Sequence, residues 1–104
     1  MKTPTETQRQ ALELAAHSTT GTVAAAGGGY WVRGDTSLLD RQAIFSGLLK
    51  APWVPTTTVY ACERAGWFER CHDPTAHYHK DTRRITDAGR TALDTANRTR
   101  RIRP

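Results

Sequence analysis

Long apolar runs, paired metal-binding cysteines and lysine are all scarce or missing in this 104-residue chain. No stretch approaches the roughly 18 consecutive apolar residues of a membrane-spanning helix. Residues 1–10, MKTPTETQRQ, have no apolar stretch behind their charges. They are therefore expected to be neither a signal peptide nor a membrane anchor, and the default compartment is cytoplasmic. The only cysteines are Cys62 and Cys71, which allow one intramolecular disulfide at most and form no Cys-x-x-Cys pair. In a reducing compartment both stay thiols, and Cys62 reads as a small core residue. A nucleophilic cysteine would need a positioned base. Cys71 and His72 are sequence neighbours that project to opposite faces of a strand, which makes them a poor dyad. No two carboxylates form an evident acid–base pair either, so neither an enzyme nor a cofactor is expected.

Lysine occurs only as Lys2, Lys50 and Lys80, against a much larger number of arginines. With abundant Ala, Thr and Gly, this bias points to a GC-rich genome such as that of an actinobacterium or one of its phages. Acids are lacking after Asp94, whereas Arg98, Arg100, Arg101 and Arg103 crowd the end of the chain. Setting those four aside leaves eleven basic residues against ten acidic ones, so the net charge of +5 belongs mostly to the end. A basic tail of this kind either touches phosphate or simply stays solvated. The expected division is one domain over residues 1–96 followed by a basic, flexible tail over 97–104.

What is present suffices for a single small core. Apolar residues make up 38% of the chain and recur throughout it, which argues against global disorder. Thr3, Pro4 and Glu6 predict the start of a first helix, with Thr3 as cap. Ala11, Leu14, Ala15 and Ser18, with Leu12 beside them, give it an apolar stripe. Residues 22–26 and 30–33 flank Gly27, Gly28 and Gly29 and read as a β-hairpin. The triple glycine lacks the lysine and hydroxyl residue of a P-loop and opens no helix. A second helix is expected from a Thr36 or Ser37 cap through Leu38, Leu39, Ile44, Phe45 and Leu48, with Gly47 a possible break. Residues 51–55 read as a turn. A third helix then opens at Pro55 and Thr56, buries Val59 and Cys62, turns Thr57, Tyr60, Glu63 and Arg64 outward, and closes at Gly66.

The stretch from Thr58 through Val59, Gly66, Trp67 and Phe68 resembles the recognition helix and first wing strand of bacterial winged helix-turn-helix proteins. Residues 84–93, RITDAGRTAL, resemble the second wing strand running into a final helix capped by Thr86. The resemblance implies an α+β winged-helix fold, here with an additional Gly-rich hairpin after the first helix. It also implies binding of double-stranded DNA in transcription regulation, with helix 56–65 in a groove and the 67–85 wing on the backbone. The residues it would bring to DNA are Thr56, Thr57, Thr58, Tyr60 and Arg64 from the helix, and Arg70, His77, His79, Lys80 and Arg83 from the wing. Short hydroxyl side chains near a helix N-terminus suit phosphate, and arginine suits guanine or phosphate. Thr56 serves equally as a cap and Tyr60 as a packing residue, and Glu63 on the same face repels phosphate. The alternative is a winged-helix module that contacts protein, for example a phage factor modifying a host machine. Homodimerisation, common among DNA-binding helix-turn-helix proteins, is left open.

The wing carries a histidine cluster. A four-residue loop over 73–76 would set His72 opposite His77 and Arg70 opposite His79. Alternation then places Phe68, Arg70, His72, His77 and His79 on one face, with Trp67, Cys71, Tyr78 and Lys80 on the other. Three histidines on one face suit zinc, but Cys71 falls on the opposite face, and contact with phosphate or solvent is the expected role. Elemental analysis of protein purified without a histidine tag is expected to give no stoichiometric zinc; one zinc per chain would overturn that expectation.

Overall fold

In a computed structural model that describes residues 3–71 and 82–102, four helices pack with a five-stranded antiparallel sheet into an α+β fold. The elements run α1 (Glu6–His17), β1 (Thr22–Gly27), β2 (Tyr30–Arg33), α2 (Leu38–Phe45), β3 (Val54–Pro55), α3 (Thr56–Arg64), β4 (Phe68–Arg70), β5 (Thr82–Ile85) and α4 (Asp87–Ile102). The order across the sheet is β3-β2-β1-β5-β4. No described helix is long and apolar enough to cross a membrane.

Helix α1 is capped by Thr5 rather than Thr3. The Thr5 hydroxyl accepts from the Gln8 amide at 3.2 Å, and the Gln8 side chain accepts from the Thr5 amide at 3.0 Å. Two orphan amides are thereby satisfied reciprocally. Glu6 grips Arg9 at 2.8 Å. Arg9 also pairs with Glu13, and these carboxylates hold its pKa above the ordinary arginine value. Ala11, Leu12 and Ala15 are fully buried, as their spacing requires.

The glycine hairpin forms as the sequence implies, with a bulge between Ala25 and Gly27. Gly27, Gly28 and Gly29 all have positive φ, and the Phe45 ring lies so close that a Cβ on Gly27 would stand 2.9 Å from it. The run is thus a turn and a seat for one aromatic ring. Helix α2 starts at Ser37, whose hydroxyl accepts from the Asp40 amide at 3.1 Å, and stops at Phe45 before Gly47. Buried Arg41 ties it back to the chain after β2, donating to the Gly34 and Thr36 carbonyls at 2.9 Å each. Residues 54 and 55 are not turn, as expected, but a short edge strand paired with Trp31 and Tyr30. Proline is tolerated there because an edge strand has one unpaired side.

One face of the sheet carries the core. Val23, Trp31, Val54, Phe68 and Ile85 meet Ala11, Leu12 and Ala15 of α1, Val59 and Cys62 of α3, and Leu93 of α4. By alternation Ala24 and Val32 point to the opposite face, where they are buried and α2 packs on β1. Helices α1, α3 and α4 therefore share one side of the sheet and α2 has the other.

The pairing of β4 with β5 corrects the expected wing register. Arg70 stands opposite Arg83, not His79, while Phe68 faces Ile85 and Glu69 faces Arg84. This register joins two large apolar side chains in the core. On the outer side it lets Arg84 hold Glu69 at 2.6 Å. Trp67 joins the core beside Phe68 because it precedes the strand and does not obey its alternation. Thr86 does cap α4, accepting from the Gly89 amide at 3.0 Å and donating to the Gly66 carbonyl at 2.7 Å. Helix α4 continues to Ile102.

Gly89 sits in the first turn of α4, where a Cβ would overlap the Trp67 carbonyl oxygen and stand 2.8 Å from Ile85. Alanine ordinarily improves a helix by up to about 1 kcal/mol over glycine. Here the overlap dominates, and Gly89→Ala is expected to destabilise the fold by about 1–3 kcal/mol in urea unfolding. A neutral or stabilising result would show that α4 does not press on Trp67.

Candidate functional site

Helix α3 is fixed to the sheet at three levels. At its first residue, the Thr56 hydroxyl accepts from the Trp31 indole N–H at 2.9 Å and lies 3.5 Å from the Gly29 carbonyl. The Thr56 amide also donates to Gly29 at 3.2 Å. Midway, Val59 and Cys62 are fully buried, and the Cys62 thiol points at the Gln8 carbonyl of α1, 3.9 Å away. Burial pushes the Cys62 thiol up to about 12, so it stays protonated and unreactive at neutral pH.

The third level is electrostatic. Arg83 is 2% exposed, and its guanidinium carbon lies 5.6 Å from the Trp31 ring centre and 5.5 Å from that of Tyr60. Those rings meet edge to face, with centres 6.4 Å apart. Arg83 also donates to the Glu63 carboxylate at 2.9 Å and to the Thr82 carbonyl at 3.1 Å. The second Glu63 oxygen is 3.5 Å from Arg70. The hydrogen bond from Arg83, reinforced by the charges of Arg83 and Arg70, lowers the Glu63 pKa against the opposing effect of burial.

This arrangement sorts the expected DNA-facing residues. Thr57, Tyr60, Arg64 and Arg70 are exposed, and Thr58 is half-buried. Arg64 is paired with no carboxylate among the described residues, and Arg70 projects freely apart from its weak contact with Glu63. Thr56 is half-buried with its hydroxyl bonded to Trp31, and Arg83 lies beneath the surface. His77, His79 and Lys80, like His72 and the 73–76 loop, lie outside the described residues. The expected repulsion by Glu63 is offset, because its charge is matched by Arg83 within the fold. Sequence reasoning missed the burial of Arg83, since nothing in the adjacent pair of arginines at 83 and 84 marks which one turns inward.

No three His, Cys, Asp or Glu side chains are grouped to hold a metal ion among the described residues. A cleft of about 750 Å³ lies between α1 and residues 51–54, lined in part by Glu13, His17, Arg33 and Trp53. Glu13 is paired with Arg9 and Arg33 with Asp35 at 2.9 Å, so the cleft assembles no acid–base pair from them. Comparison with protein-family models, with curated proteins and with solved structures gives no match.

The Glu63–Arg83 pair yields a pH prediction. A carboxyl held below its ordinary value near 4.5 adds stability above that value, and the contribution is lost as pH falls through the lower folded value. Glu63→Gln is therefore expected to flatten the loss of stability below about pH 4.5 and to cost about 1–3 kcal/mol at neutral pH by leaving Arg83 without its carboxylate. Unfolding curves between pH 3 and 7, roughly the range over which carboxyls titrate, check both. An unchanged acid limb would exclude the pair as a stability determinant.

Proposed function

We propose that this chain is a DNA-binding protein of winged-helix type, a small transcription regulator of bacterial or phage origin. Helix α3 enters a groove and the β4–β5 hairpin lies along the backbone. The observation that carries this reading is the inward neutralisation of Glu63 by Arg83. It leaves Thr57, Tyr60 and Arg64 of a helix held by its buried side, together with Arg70 of β4, as an exposed surface with net positive charge. A rigid element is what a base-reading surface requires, since a loosely held helix would lose its register on the duplex. The order of the final elements, helix, hairpin and helix, together with pairing of β1 to β5, supports the winged-helix reading. Helix α2 departs from it, because α2 packs on β1 across the sheet instead of forming a tight unit with α3.

In this reading Tyr60 and Thr57 contact bases or sugar, Arg64 reads guanine or holds phosphate, and Arg70 holds phosphate from the wing. A salt titration of binding to mixed-sequence duplex DNA tests the reading. Affinity is expected to fall linearly with salt on logarithmic axes. Arg70→Ala is expected to reduce that slope by about 1, and Arg64→Ala to weaken binding about tenfold or more. Absence of binding even at low salt would overturn the DNA reading and favour protein contact.

A further inference from the structure

Helix α2 and the segment after it expose Leu38, Leu39, Phe45, Leu48, Leu49 and Trp53 to solvent, Leu39 at 78% and Leu48 at 85%. These side chains fall within sixteen consecutive residues, and α2 itself lies on the side of the sheet away from α3. With roughly 150 Å² for each side chain, the lower end of the aromatic range because four of the six are leucines, their exposed fractions amount to on the order of 500 Å² of apolar surface. That lies toward the upper end of the roughly 300–600 Å² of the largest patch on a typical monomer and is a large share of the roughly 800 Å² each partner contributes to a standard interface.

The shape of this surface identifies its occupant. A hollow of about 480 Å³ is lined by Tyr30, Phe45, Leu49, Lys50 and Trp53 among others. Its floor is firm, because Tyr30 and Trp53 pack edge to face with ring centres 4.4 Å apart. Leu48, the most exposed large apolar side chain, stands immediately before Leu49 and Lys50 of the hollow wall. Knob and hollow thus occupy the same patch, as a two-fold symmetric interface requires, because each copy must present both.

We propose that this apolar surface pairs with the same surface of a second copy of the chain, Leu48 of each copy filling the hollow of the other. The proposal does not rest on DNA binding. It bears on it in one way: α2 lies across the sheet from α3, so pairing through α2 leaves both α3 surfaces free.

Sedimentation equilibrium of the full chain over a concentration series tests the pairing. A monomer–dimer equilibrium is expected, and Leu48→Asp is expected to weaken it by about thirtyfold or more. The exposure of Leu48 means that circular dichroism of this variant should match the parent. Monomer mass at every concentration would overturn the proposal and leave the surface to a different protein. A dimer indifferent to Leu48→Asp would overturn it equally. None of these outcomes depends on whether DNA is bound.

Discussion

The arrangement of this fold depends on burying one arginine. A guanidinium withdrawn from water is costly unless charge and hydrogen bonds replace its hydration. Arg83 has both, in the Glu63 carboxylate and the Thr82 carbonyl, and its flat cation lies near two aromatic rings whose faces attract it. Each partner comes from a different place: Trp31 from β2, Tyr60 and Glu63 from α3, and Arg83 and Thr82 from β5. The cluster therefore fixes the rotation of α3 about its own axis as well as its distance from the sheet. Arg83 settles which residues of α3 face outward.

That rotation has an electrostatic consequence. Glu63 is the acid on α3, and left to solvent it would oppose any anionic partner. Held by Arg83 and Arg70, it becomes part of the packing, and the surface between Tyr60, Arg64 and Arg70 takes the sign of its arginines. One ion pair thus orients the helix and determines the charge of the face it presents. On the far side of the sheet, α2 is attached by Arg41 and Ile44 but leaves most of its large apolar side chains in water. The protein has two contrasting surfaces, one charged and one apolar, separated by the thickness of the sheet.

Much of the local structure was legible in the sequence because local rules govern it. Ser37, Thr86, Gly47 and Gly66 mark helix ends through hydroxyl caps and positive φ. The three glycines announce a hairpin. Val59 and Cys62 follow helical spacing into the core. The misreadings came where two local solutions compete. Thr3 and Thr5 both head plausible caps, and the reciprocal bonds of Thr5 with Gln8 set the start of the helix at Thr5. The wing register was inferred from a short loop, but contact between Phe68 and Ile85 outweighs loop length, so Arg70 pairs four residues further along. Apolar residues mark a second helix through Leu38, Leu39 and Leu48, and all three are exposed. Apolar spacing predicts an amphipathic face, however, and says nothing of whether the chain has anything left to cover it.

The sequence by itself determined where elements begin and end, and which residues of α1 and α3 are apolar, because caps, glycine φ and helical period act within a few residues. Only the tertiary structure decided that Arg83 is buried and Arg84 exposed, that Glu63 is neutralised, and that α2 lies across the sheet from α3. Those outcomes depend on strand order and register, which bring together groups 20 and more residues apart. The energy of a buried charge is set by such distant partners, so no local pattern around residue 83 could carry it.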